Sequence, residues 1–232
     1  MPESLKNLLL LTIALVLLVA ESAAATEPRV SSYLESPRNF GLDLMYSPLK
    51  YPNYDYSLND SPIYVAGGGN SGGLTLEYLA IQSLGKLGIG IGAGFFVLSD
   101  VNVGKDATGA DILATLYTYP LQAYLSYRFD YFKNQVLVPY VRFGGEMTPT
   151  RQGSKTGGDK AGTQVYYGTN LAAGLELLLN VLEPSSAVNL DRSTGINGTY
   201  LIVEYEMGRA INPSNVADLS HNAIRAGLRF EF

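Results

Sequence analysis

The 232-residue chain has no cysteine, no tryptophan and one histidine, and charged residues make up only 16% of it. The missing cysteine excludes disulfide staples, thiolate metal ligands, a cysteine nucleophile and a lipidated N-terminal cysteine. One histidine without cysteine is too few ligands for a zinc set of the usual kind, so neither a metal nor a cofactor is expected. The charged fraction lies well below the roughly 25% of soluble domains. The net charge of −5 comes without a basic cluster, which argues against nucleic acid as a partner.

Long apolar runs are scarce too. Leu8 to Ala20 is a run of 13 residues with Thr12 its only hydroxyl, preceded by Lys6 and followed by small residues. That is short of the roughly 20 residues that a spanning helix needs, and Ala23-Ala24-Ala25 supplies an A-x-A cleavage site. Residues 1–25 read as an export signal, with a mature chain starting near Thr26. Cleavage leaves 15 basic and 19 acidic residues, a net of −4. Residues 26–38 then form a short periplasmic N-terminal segment.

What the chain has instead is glycine (25) and tyrosine (17), arranged with leucine and valine at period two rather than 3.6. Eight stretches alternate in this way: 39–48, 74–83, 87–98, 115–129, 136–147, 164–178, 199–208 and 219–232. An even number of strands closes an up-and-down antiparallel barrel with both termini on one side, and connections then alternate between short and long. Residues 84–86 and 130–135 read as tight turns. Residues 49–73, 99–114, 148–163 and 209–218 read as long polar loops. The third connection on the short side, 179–198, is longer, and Pro184 could start a single helical turn there.

Parity decides which face is greasy. Thr115, Tyr117, Tyr119, Leu121, Ala123, Leu125, Tyr127 and Phe129 share one face of their stretch, opposite Thr118, Gln122, Tyr124, Ser126 and Arg128. Ile224, Ala226, Leu228, Phe230 and Phe232 alternate with His221, Arg225, Gly227, Arg229 and Glu231, and Leu201, Val203, Tyr205 and Met207 with Tyr200, Ile202, Glu204 and Glu206. The expected fold is therefore all-β: a single transmembrane barrel, 39–232, apolar outside, its lumen filled by polar side chains. Eight strands leave an interior that side chains can fill. Asp43, Glu77, Arg128, Arg142, Glu146, Glu176, Glu204, Glu206, His221, Arg225 and Arg229 are expected to meet there as an ion network.

Aromatic residues support two interfacial girdles. Tyr46, Tyr117, Tyr119, Tyr167 and Tyr205 lie near the long loops, and Phe40, Tyr127, Phe129, Phe230 and Phe232 at the opposite ends. Gly88, Gly90, Gly92 and Gly94 lie inside a strand, not in the G-x-G-x-x-G spacing of a dinucleotide site. They are expected to clear the lumen for large neighbours such as Tyr124 or Arg142. Gly67 to Gly73 and Gly153-Ser154-Lys155-Thr156 read as surface loop without phosphate-loop spacing, and Asn197-Gly198-Thr199 as turn. Ser220, His221 and Glu206 hold the residue types of a hydrolase triad. Adjacent strand residues point to opposite faces, though, so His221 is expected to line the lumen beside Glu206.

The stretches Leu182-Glu183-Pro184-Ser185-Ser186, Leu190-Asp191 and Gly195 to Tyr205 resemble a family of uncharacterised outer-membrane β-barrel proteins of myxobacteria and relatives. Asp218-Leu219-Ser220, Gly227 to Phe232, Tyr127 to Tyr131 and Val138 to Val141 are similar to that family in order and spacing. The chain departs from it at Ile224, Arg225 and Arg229. The resemblance implies an outer-membrane barrel and brings no catalytic residues. The ending Leu228, Phe230, Phe232 resembles the C-terminal signal that barrel insertion machinery recognises. It implies a periplasmic chaperone and the assembly complex as transient partners, with membrane lipids and lipopolysaccharide as surroundings, both termini periplasmic and a monomer as the favoured state. Three roles follow as expectations: a closed barrel that braces the membrane and displays its loops, a narrow passage or binding barrel for a small solute or lipid, and last a lipid-modifying enzyme.

Overall fold

The computed structural model describes residues 38–50, 54–58, 61–65, 68–82, 84–105, 111–132, 134–154, 163–211 and 220–232. The expected signal peptide and nearly all of the 26–38 segment lie outside these residues.

Period-two alternation produces strands. In chain order they are β1 (Phe40–Lys50), β2 (Tyr54–Leu58), β3 (Ser61–Val65), β4 (Gly68–Ile81), β5 (Lys86–Lys105), β6 (Asp111–Thr118), β7 (Leu121–Arg128), β8 (Leu137–Ser154), β9 (Thr163–Leu178), β10 (Gly198–Ala210) and β11 (His221–Glu231). One helix, α1 (Pro184–Thr194), lies between β9 and β10. β2 and β3 form a separate hairpin in the connection from β1 to β4.

All other strands form one antiparallel sheet that closes on itself. β1 pairs with β4 on one side and with β11 on the other, Gly41 opposite Glu231 and Tyr46 opposite Ala226. The last residue seals the seam: the Phe40 N–H donates to the Phe232 carbonyl at 2.8 Å and the Phe232 N–H to the Phe40 carbonyl at 3.0 Å. β6 and β7 both pair with β5 and with β8, so they are two segments of one wall strand and the barrel has eight. Pro120 accounts for the interruption, because it has no N–H to give to the ladder. Register continues across it unchanged, Thr118 facing Thr150 and Leu121 facing Met147. The Tyr119 N–H still reaches the Pro149 carbonyl, and the Gly94 N–H the Pro120 carbonyl.

Several expected boundaries need correction. Residues 99–105, 111–114 and 148–154, expected as loop, extend strands β5, β6 and β8. Polar residues there do not disfavour a strand whose ladder partners continue beside it. Gly68 to Gly73 is likewise strand, paired with β1 and β5. Its missing side chains leave room for neighbours, since a Cβ on Gly72 would meet the Phe95 ring. Lys86 begins β5 instead of ending a turn. The turn itself closes at Gly85, whose φ of 74° is a left-handed conformation that glycine adopts without cost. Gly153 and Ser154 end β8, while Lys155 and Thr156 lie outside the described residues. Gly198 and Thr199 open β10. The connection 179–198 holds an 11-residue helix, about three turns and not one. Proline sits in its first turn, and Gly195 at φ 76° ends it by donating its N–H to the Asp191 carbonyl.

Burial follows the alternation read from the sequence. In β7 exposed and buried residues alternate, with Leu121 and Leu125 outward and Gln122, Tyr124, Ser126 and Arg128 inward. β10 and β11 behave alike: Leu201, Val203, Tyr205, Ile224 and Leu228 are exposed, while Glu204, Glu206, Arg225 and Arg229 are buried. Thr115 is an exception, buried where the outer face was expected. The inner face also holds two small apolar clusters, Met45 with Tyr140 and Ile202, and Val138 with Leu178 and Tyr200. Both expected girdles lie on the exterior. At the short-turn end Phe40 packs on Phe232 and Tyr78, and Tyr127 meets Phe129 edge-on at 4.9 Å. At the other end Tyr46, Tyr117, Tyr119, Tyr167 and Tyr205 are exposed. An exposed apolar wall around a charged interior inverts a soluble barrel, and hydrocarbon is the solvent that stabilises it.

Candidate functional site: the lumen

Every wall strand sends alternate side chains inward, so the lumen is where the topology concentrates the ionisable residues. Its short-turn half is packed with ion pairs. Arg128, entirely buried, bridges Glu176 of β9 and Glu231 of β11 and lies 5.2 Å over the Tyr200 ring. Arg229 pairs with Glu77 and, at 3.0 Å, with Asp43, whose second oxygen accepts from the Thr75 hydroxyl at 2.8 Å. Ser126 donates to the other oxygen of Glu77. Lys86 lies 3.0 Å from Glu231 and 2.8 Å from Asp130.

Above this layer a second set of pairs gathers on β8, β10 and β11. Arg142 donates to Glu204 at 2.8 Å and lies 4.8 Å over the Tyr124 ring. Tyr140 donates to the same carboxylate at 2.6 Å, and Arg225 approaches it at 3.3 Å while also pairing with Glu206. Tyr124 can cross because Gly90 faces it: a Cβ at Gly90 would overlap the phenol ring. Gly41 clears the Arg229 guanidinium in the same manner. Of the four glycines of β5 expected to clear the lumen, Gly90 makes room for Tyr124 and Gly88 for Glu77 and Ser126, while none of them faces Arg142 and Gly94 lies against the Gly72 carbonyl and Pro120.

Toward the long loops the packing opens into a cavity of about 60 Å³. His221 and Glu206 meet there, Nε2 to Oε1 at 3.3 Å, as the parity argument required. Glu146 lies beside them, accepting from the Thr148 hydroxyl at 2.6 Å. Of the six carboxylates expected in the network, Glu146 alone has no arginine or lysine within ion-pair distance among the described residues. Its strand position above Arg142 carries it past the layer of guanidinium groups. Ser220 takes a different place from a nucleophile beside His221, since its Oγ accepts the Ala210 N–H at 3.0 Å.

The network has members beyond those expected. Glu231 shares the parity of Arg225 and Arg229, so alternation alone could have found it. Lys86 and Asp130 adjoin turns, where period two gives no direction. Leu228 and Phe232 of the C-terminal ending are exposed on the outer wall, and Phe230 is half-buried there.

No protein-family model and no curated protein matches the chain. Solved structures do. The outer membrane protein OprG from Pseudomonas aeruginosa superposes with a TM-score of 0.56 at 15% identity, over 85% of this chain and 97% of that one. Neisserial surface protein A gives 0.45 at 16%, over 83% and 97%, and the attachment invasion locus protein Ail of Yersinia pestis 0.43 at 12%, over 86% and 100%. The chain has the fold of a small outer-membrane β-barrel. The identity to OprG is low enough that the likeness carries architecture alone.

Proposed function

We propose that this protein is an integral outer-membrane barrel whose lumen is closed, serving to brace the membrane and to present its long connections at the cell surface. The observation that carries the reading is the buried ion network that fills the lumen at two levels. Arg128, Arg229 and Arg142 are each at most 4% exposed: Arg128 spans the lumen from β7 to Glu231 of β11, four strands away, and Arg229 and Arg142 each reach a carboxylate two strands away. Water-filled barrels need about 16 strands or more, and eight leave a bore that such side chains fill. A single-channel recording on the refolded protein in planar bilayers tests this. No stepwise conductance is expected, and a stable open level would contradict the closed lumen.

In this reading both termini and the short turns face the periplasm and the 49–73 connection faces outward. The barrel acts as a monomer among membrane lipids and lipopolysaccharide, having been delivered by a periplasmic chaperone and the barrel assembly machinery through its Leu228, Phe230, Phe232 ending. Membership in the myxobacterial barrel family rests on the C-terminal motifs. The role is structural, not enzymatic, in keeping with a Ser220 hydroxyl that takes up a backbone N–H.

A further inference from the structure

The cavity in the long-loop half has a chemistry that bracing does not need, and we propose that it binds a divalent transition-metal ion through His221, Glu206 and Glu146. One donor atom from each of the three lies within 4.8 Å of the others. Imidazole nitrogen and carboxylate oxygen bind zinc-like ions at about 2.0–2.2 Å, which sets adjacent donors of a tetrahedral site about 3.3 Å apart. His221 Nε2 and Glu206 Oε1 stand at 3.3 Å.

Charge and neighbours favour a cation there. Arg225 also borders the cavity, but its guanidinium is engaged with Glu204 and with Oε2 of Glu206. That pairing leaves Oε1 turned to His221, the kind of outer support that orients ligating carboxylates. Glu146 has only the Thr148 hydroxyl. An independent sign comes from groups that take no part in the triad. Thr118 is 4% exposed and lines the same cavity, and its hydroxyl makes no hydrogen bond among the described residues. Gln122, 8% exposed, uses its Oε1 on Asn170, and its amide nitrogen is likewise without a partner among the described residues. Both side chains line the cavity, and the waters around a held ion would hydrogen-bond to them. About 60 Å³ is room for an ion with several waters at roughly 10–15 Å³ each. The single histidine that argued against a metal from sequence is completed by two carboxylates from other strands.

The site does not depend on whether the lumen conducts. Cupric ion is the probe, titrated into the untagged, refolded full chain in detergent and read by electron paramagnetic resonance with spin-echo modulation. His221 is the only imidazole in the chain, so a remote imidazole nitrogen coupling can come from no other residue. One bound ion with that coupling is expected, displaced by Zn²⁺ but not by a roughly hundredfold excess of Ca²⁺, a hard ion that prefers all-oxygen sites. His221→Asn should abolish the coupling and weaken binding at least about tenfold, and Glu146→Gln should weaken it about tenfold with the coupling retained. Heat-modifiable gel migration reports whether each variant forms the barrel. Should His221→Asn fail to fold, Glu146→Gln and the wild-type spectrum carry the test. Copper bound without imidazole coupling, no copper retained, or full affinity in Glu146→Gln would each overturn the proposal.

Discussion

The two halves of the lumen are built from the same residue types by the same alternation, yet they differ in how completely the charges are matched. In the short-turn half Arg128 and Arg229 each reach carboxylates on more than one strand, so the charges are matched although Arg128 Nε, Arg229 Nε and Glu176 Oε1 are left without a hydrogen bond among the described residues. In the long-loop half Glu146, Thr118 and Gln122 surround a cavity with hydrogen-bonding capacity left over. Removing one member of a buried pair strands the charge of the other, so the first region loses much from any single removal. The second has slack. A barrel that only resisted the membrane would have no reason for such an asymmetry, and this difference separates the scaffold from a candidate binding region.

The sharpest way to break the comparison is Arg128→Ala. Removing the bridge leaves Glu176 and Glu231 buried without their main counter-charge, and breaking such a pair costs about 3–5 kcal/mol. Equilibrium urea unfolding in lipid vesicles measures it. A loss comparable to that of a surface substitution would mean that the short-turn half is not the rigid region.

Leu228→Arg tests the wall against its contents. The residue is on the exterior, opposite Leu44 and Leu201 across its two seams. A charge on the lipid face costs up to about 2–4 kcal/mol at the midplane, less toward an interface. The same unfolding assay should show this in vesicles. A neutral result would reverse the assignment of inside and outside.

Glycine offers a finer comparison, one position on each face. Gly90→Ala drives a methyl group into the Tyr124 ring, and overpacking of this kind costs about 1–3 kcal/mol. Gly145→Ala, on the exterior of β8, meets nothing within 4 Å and should be neutral or stabilising by up to about 1 kcal/mol. Equal effects in thermal unfolding would mean that Tyr124 does not need the space Gly90 gives it.

How far the sequence carried this picture depends on what each feature draws upon. The wall was legible because Leu201, Val203 and Tyr205 alternate with Ile202, Glu204 and Glu206 by a rule local to one strand. The interior composition followed from the same rule. Which carboxylate meets which arginine was not legible, since Arg128 finds Glu231 across 103 positions through the stagger of the closed sheet. Strand ends failed for a related reason: Gly68 to Gly73 looks like linker by composition and is held as strand by its neighbours on both sides. Proline was the opposite case. Pro120 sat within a stretch read as one strand, and the ladder runs through it in register with only its hydrogen bond missing. The cavity followed from none of these, because Glu146, Glu206 and His221 come from three strands that only closure brings together.

The smallest expected effect is the most informative about the open half. Glu146→Gln keeps the shape of the side chain and its acceptor for Thr148 while removing the charge. No arginine or lysine loses a partner, so the change should alter stability by less than about 0.5 kcal/mol, as for a substitution away from any paired network. The same replacement at Glu204, which accepts from Tyr140 and faces Arg142 and Arg225, should cost several times more. If Glu146→Gln proved as destabilising as Glu204→Gln, the long-loop carboxylate would belong to the scaffold, and the two halves of the lumen would be one. If it instead stabilised the metal-free barrel while weakening copper, the charge would be one that the fold tolerates only for the ion it holds.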